Sequence, residues 1–185
     1  MKGKGLFCIR NVIISFFVFM AMYYLISFSP IGLAKLTEIT NGNSILDMEM
    51  GGYTVDQAYE ILTALGEEGR GFEMKYIIPI DFPFPLAYGI FYFMLLSTLA
   101  KGIFSKMKKP WLIGLIGFGA TIFDWLENAM IIQLLNNYPQ QLQDVAKLAN
   151  IFTRLKSTFI TISMFLIVIG FVVFMVKRFL PKSNT

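Results

Sequence analysis

Four stretches of this chain are apolar for long enough to cross a bilayer, at about 11–29, 82–100, 111–135 and 149–176. A spanning helix needs roughly 20 largely apolar residues, because each adds 1.5 Å of rise against about 30 Å of hydrocarbon. The pattern predicts an all-α membrane protein: a single domain, one four-transmembrane-helix bundle.

Residues 30–80, between the first two stretches, are mixed and read as a long outer loop. Asn41-Gly42-Asn43 marks a turn and Gly51-Gly52 a second break. Thr54 followed three residues later by Gln57 fits a capping box, and Ala58, Ile61, Leu62 and Leu65 recur at helical spacing. The loop should therefore carry one short amphipathic helix, about 55–67, ended by Gly66 or Gly69 and lying over the mouth of the bundle. Its far face, with Asp56, Glu60 and Glu67, should be solvated. Arg70, between Gly69 and Gly71, reads as a surface charge or as the partner of an acid at that mouth. Pro79, Asp81, Pro83 and Pro85 open the second span, where a missing proline amide is tolerated. Asp81 reads either as the N-cap or as lining the entrance to a polar site.

The third span breaks the apolar pattern. It carries Asp124, Glu127 and Asn128, and a carboxylate at mid-bilayer costs roughly 2.5–3.5 kcal/mol on insertion scales. Gly114, Gly117, Thr121, Asp124 and Asn128 lie on one stripe, with Ala120 and Glu127 beside it. Small residues admit a neighbouring helix, so this stripe should face protein. On the fourth span Thr153, Lys156, Ser157 and Thr161 share a face, and helical rise puts Lys156 and Glu127 at matching depth. Tyr88 and Tyr92 share a face with Asp81. The candidate site is Asp124, Glu127, Asn128 and Lys156, surrounded by Thr153, Ser157, Tyr88, Tyr92 and Asp81.

Composition narrows the chemistry. The 185 residues are 56% hydrophobic and 15% charged, too apolar for an ordinary soluble domain. There is no histidine, hence neither the commonest metal ligand nor the commonest general base. The single Cys8 excludes an intrachain disulfide and a cysteine zinc cluster; it reads as a plain small residue or a palmitoylation site. No P-loop, Rossmann glycine pattern or Gly-x-Ser-x-Gly elbow is present, so neither a cofactor nor a metal is expected.

The net charge of +4 is topological. Lys2, Lys4 and Arg10 precede the first span, Lys101, Lys106, Lys108 and Lys109 join the second to the third, and Lys177, Arg178 and Lys182 follow the fourth. Eight of the twelve acids lie between Glu38 and Glu73. This asymmetry predicts a multi-pass protein of the cell membrane with both termini cytoplasmic and residues 30–80 outside. Membrane lipid is the expected partner, and nucleic acid is not. The first span has a longer core than a cleaved signal and reads as a retained anchor.

Two carboxyls one turn apart beside a lysine can bind the cationic group of a small amphipathic or lipid ligand. They can also exchange protons with a substrate in an intramembrane enzyme, or pin helices together in a structural, partner-binding subunit. The segments Asp81-Phe-Pro-Phe-Pro85, Phe123-Asp-Trp-Leu-Glu-Asn128 and Thr153-Arg-Leu-Lys156 resemble those of small four-helix integral membrane proteins of bacteria with no assigned activity, from about Leu46 onward. The layout is also similar to the sterol-isomerase and sigma-2 receptor group, though the histidines its isomerases need are absent. Neither resemblance implies a cofactor or a substrate.

Overall fold

The computed structural model describes residues 5–179; Lys2, Lys4 and Lys182 lie outside them. It is all-helical among the described residues. Four helical runs, Ile9–Ile39, Gly66–Ile103, Trp111–Asn137 and Gln143–Phe179, are long and apolar enough to cross a membrane. The helices are α1 (Ile9–Phe28), α2 (Leu33–Ile39), α3 (Val55–Ala64), α4 (Gly66–Phe72), α5 (Ile78–Asp81), α6 (Pro83–Ile103), α7 (Trp111–Gly114), α8 (Ile116–Asn137) and α9 (Gln143–Phe179). A 3-10 turn at Leu46–Met48 precedes α3, and a π-helical turn at Glu73–Ile77 joins α4 to α5.

At the centre, α6 packs on α1, α8 and α9, while α8 and α9 form an antiparallel pair. The stripe of small residues explains how closely α6 and α8 approach. A Cβ at Gly89 would come 2.2 Å from Thr121 Oγ1, one at Gly114 2.2 Å from Ser97 Oγ, and one at Gly117 2.7 Å from Tyr92 Cβ. An exposed apolar face is just as plain on α9, where Phe165, Val168, Ile169, Val172 and Val176 are exposed. An exposed apolar face of this size is consistent with a helix that crosses a membrane.

Arg10, Lys101, Lys106, Lys108, Lys109, Lys177 and Arg178 lie at or next to the helix ends that meet at one end of the bundle. Lys101 Nζ donates to Phe7 O and Lys177 Nζ to Ile103 O, tying α1, α6 and α9 together there. At the opposite end, residues 30–80 are far more ordered than a loop. Thr54 and Gln57 do form a capping box at the start of α3, and α3 buries Ala58, Tyr59 and Leu62 against Ala146 and Ala149 at the start of α9. This helix stops at Ala64 instead of 67, because Gly66 adopts a left-handed φ of 65° and starts a new helix. From there the chain stays helical almost without interruption to Ile103. Asp56, Glu60 and Glu67 are exposed, as expected of a solvated face.

Arg70 matches neither expectation. Its Nη1 donates to Leu62 O at 2.7 Å and its guanidinium lies 3.9 Å from the centre of the Tyr138 ring. It closes the C-terminal turn of α3, where carbonyls lack helical partners and a cation is favoured.

Candidate functional site

The prolines ahead of α6 shape the site. Pro85 has no amide with which to bond the carbonyl of Asp81, so that oxygen is freed. Asn128 Nδ2 covers it at 3.4 Å and reaches Asp81 Oδ2 at 2.7 Å. Two further side chains of α8 grip the same stretch: Thr121 Oγ1 donates to Pro85 O at 2.7 Å, and Trp125 Nε1 to Phe82 O at 2.8 Å. Asp81 is therefore not the N-cap of α6. Phe82 holds that position without a side-chain cap, and Asp81 is buried at the polar centre instead.

Around Asp81 the polar groups form two connected sets. On the α6 side, Tyr88 Oη donates to Asp124 Oδ2 at 2.9 Å, and Asn128 Nδ2 lies 3.5 Å from Asp124 Oδ1. On the α9 side, Lys156 Nζ sits 2.6 Å from Glu127 Oε2 and 3.9 Å from Asp124 Oδ2, and Thr153 Oγ1 donates to Glu127 Oε1 at 2.6 Å. Lys156 and Glu127 thus meet at equal height, as their positions along the two helices predict. Glu127, Asn128 and Thr153 are fully enclosed, and Asp81, Asp124, Lys156 and Tyr88 nearly so.

Two members of the predicted set stand apart. Tyr92 Oη faces Met164 Sδ at 4.0 Å, and its ring lies tilted by 44° beside that of Tyr88 in the aromatic core rather than on the charges. Ser157 is half-buried and makes no hydrogen bond to the centre among the described residues.

The structure also brings in residues the sequence reading assigned to a solvated loop. Asp47, from the 3-10 turn, reaches down and pairs directly with Lys156 through Oδ1. Tyr53 is buried beside it, with its hydroxyl 3.5 Å from Thr153 Oγ1 and its amide donating to Asn150 Oδ1 at 2.9 Å. Burial pushes the Tyr53 phenol above its ordinary value. Glu73, in the π-helical turn, is also enclosed, with Oε2 lacking a donor among the described residues. Two signals were available. Asp47 interrupts the apolar run Ile45-Leu46-Asp47-Met48, and Glu73 falls on the same helical face as Gly69 and Ile77.

The outcome is an electrostatic imbalance. Asp47, Asp124 and Glu127 lie within 4.0 Å of one ammonium and Asp81 lies beside Asp47 and Asp124, so full ionisation of the four carboxyls and the lysine leaves three uncompensated negative charges. Carboxylate oxygens of Asp47, Asp81 and Asp124 lie within 4.8 Å of one another. Oxygen donors of this kind suit hard cations or ammonium groups, not soft metals. Asn128 Oδ1 has no donor in this arrangement, so the amide also keeps an acceptor free. Uncompensated charge in a medium of low dielectric is costly, so the cluster must be neutralised by protons or by a cation. Two cavities at this end of the molecule, of about 240 and 450 Å³, are lined by other residues.

Comparison with protein families, with curated proteins and with solved structures finds no match to this chain.

Proposed function

We propose that the chain is a multi-pass protein of the cell membrane that binds the cationic head of a small amphipathic or lipid ligand at its buried acidic centre. The orientation that the charges favour puts both termini and the basic end in the cytoplasm. The acidic centre then lies toward the outer leaflet, under residues 30–80. The observation that carries the reading is the excess of carboxyls over ammonium in an enclosed, apolar surrounding. A site that only joined helices would do better with balanced charge or with none. An ammonium head would lie between Asp81 and Asp124, with Asn128 Oδ1 as an additional acceptor, and the ligand's chain would follow the apolar faces of α6 and α8.

One observation favours a purely structural lock instead: the centre is enclosed and neither cavity reaches it. Lipid mass spectrometry separates the two readings. Wild type should carry an amine-bearing amphiphile in near-stoichiometric amount, and Asp81→Asn/Asp124→Asn should lose it while keeping its helicity. Identical lipid in both proteins, in the proportions of the bulk membrane, would leave the lock as the better account.

A further inference from the structure

The segment that supplies Asp47 differs from everything else touching the centre. Residues 43–52 run between two left-handed points, Asn41-Gly42 (φ 54° and 91°) and Gly52 (φ 87°). Between them the backbone bonds are local: Met48 N to Ile45 O, Glu49 N to Leu46 O, Met50 N to Met48 O and Gly52 N to Glu49 O. Ties to the rest of the molecule are Asn43 Nδ2 to Ala64 O and Thr40 O, Lys156 Nζ to Asp47 through its carboxylate and its carbonyl, and the side chains of Ile45 and Leu46, which are buried in the core beside α3 and α8. A further anchor follows the segment, where Tyr53 N bonds Asn150.

Asp47 is also where the charged centre meets the surface. Its side chain keeps 20% of its exposure, against 5% for Lys156 and Asp124 and none for Glu127. Directly beside the segment is the cavity of about 240 Å³, bounded by Leu33, Leu36 and Thr37 of α2 on one side and by Ser44, Ile45 and Met48 on the other. The segment is therefore bounded by left-handed residues at both ends, held at its middle by the Asp47–Lys156 pair and by Ile45 and Leu46 in the core, and flanked by free volume.

We infer that residues 43–52 form a gate over the acidic centre, latched by Asp47 on Lys156, which opens by moving toward α2 into that cavity. Opening removes one carboxylate from the cluster, frees the Lys156 ammonium and uncovers Asp124 and Glu127 to a ligand arriving at this end of the bundle. This inference rests on the centre being a ligand site and describes how that site is reached. Enclosure of the centre is then the closed state of the gate.

Hydrogen–deuterium exchange by mass spectrometry on the full-length, ligand-free protein in nanodiscs tests it. Amides of residues 45–53 should exchange by a local opening, faster than those of α8. Asp47→Asn should speed them about tenfold while α8 and α9 hold their protection. Thr37→Phe, which fills the cavity and leaves the latch intact, should slow them about threefold. Labelling of Asp124 by a water-soluble carbodiimide with glycine ethyl ester should follow the same order. If Asp47→Asn does not fold, the Thr37→Phe comparison decides alone. Exchange of 45–53 in step with α8 and α9, or rates indifferent to Thr37→Phe, would overturn the gate. Because no ligand is present, a gate that opens beside a centre that carries no amine-bearing lipid would refute the ligand reading only.

Discussion

Neutralising Asp81 should make the protein more stable, although Asp81 is buried and hydrogen-bonded. Its carboxylate shares a region within 4.8 Å of oxygens from Asp47 and Asp124. Two unit charges at that distance repel by about 3.5 kcal/mol at an effective dielectric of 20. Asp81→Asn removes two such terms together with a smaller attraction to Lys156. The amide keeps an oxygen to accept from Asn128 Nδ2, so the loss there is limited to the charge assistance of one hydrogen bond, about 1 kcal/mol. Protons already held by the cluster would shrink the gain. The net expectation is about 1–3 kcal/mol of stabilisation, or a rise of about 2–4 °C in melting temperature per kcal/mol for a chain of this size. Lys156→Met should do the opposite, because it leaves Glu127, Asp124 and Asp47 with no counter-charge; breaking a buried pair in this way costs about 3–5 kcal/mol. Tryptophan-fluorescence melting of the ligand-free protein in one detergent measures both. A fall on Asp81→Asn comparable to that on Lys156→Met would mean that the charges are balanced in the folded state, and the excess-charge argument would be refuted.

Three other perturbations test separate parts of the structure. Gly89→Ala places a Cβ where Thr121 Oγ1 stands, so it should cost about 1–3 kcal/mol and disturb the bond from Thr121 to Pro85; a melting temperature unchanged within error would contradict the packing of α6 on α8. Burial raises the Tyr53 phenol, so the folded state holds that proton more tightly than the unfolded chain. Its contribution is fully present below the unfolded value of 10 and is lost as pH rises past it. Stability measured between pH 8 and 11 should fall less steeply in Tyr53→Phe than in wild type. Arg70→Lys keeps the charge but not the planar stack on Tyr138, and about 1 kcal/mol should be lost; equal stability would show that only the charge matters.

The bundle was legible because its signals are long and redundant. Each long helix repeats its apolar character over many residues, and the glycines of α8 fall on one stripe. Lys156 and Glu127 could be matched because both sit on regular helices, where residue number converts to height. Asp47 could not, because its position depends on a chain reversal of left-handed residues at Asn41, Gly42 and Gly52, and no periodicity encodes how deep such a segment reaches. The acids between Glu38 and Glu73 were read together as belonging to an outer loop, which hid the two that turn inward, Asp47 and Glu73. For Asp81 the sequence offered two alternatives, the cap of the second span or the lining of the entrance to a polar site, and did not choose between them. Deciding between cap and site required knowing that Asn128 lies opposite, a contact between residues 47 positions apart.

The claim on which the account turns is that the enclosed carboxyls await a cation. Calorimetric titration of the purified full-length protein with dodecylammonium, and with dodecyl sulfate and a neutral dodecyl glycoside as matched controls, asks this directly. Saturable one-to-one binding of the ammonium alone, weakened about tenfold or more in Asp81→Asn/Asp124→Asn, is the predicted result. Equal binding of all three amphiphiles, or an ammonium affinity that the double variant leaves unchanged, would contradict it.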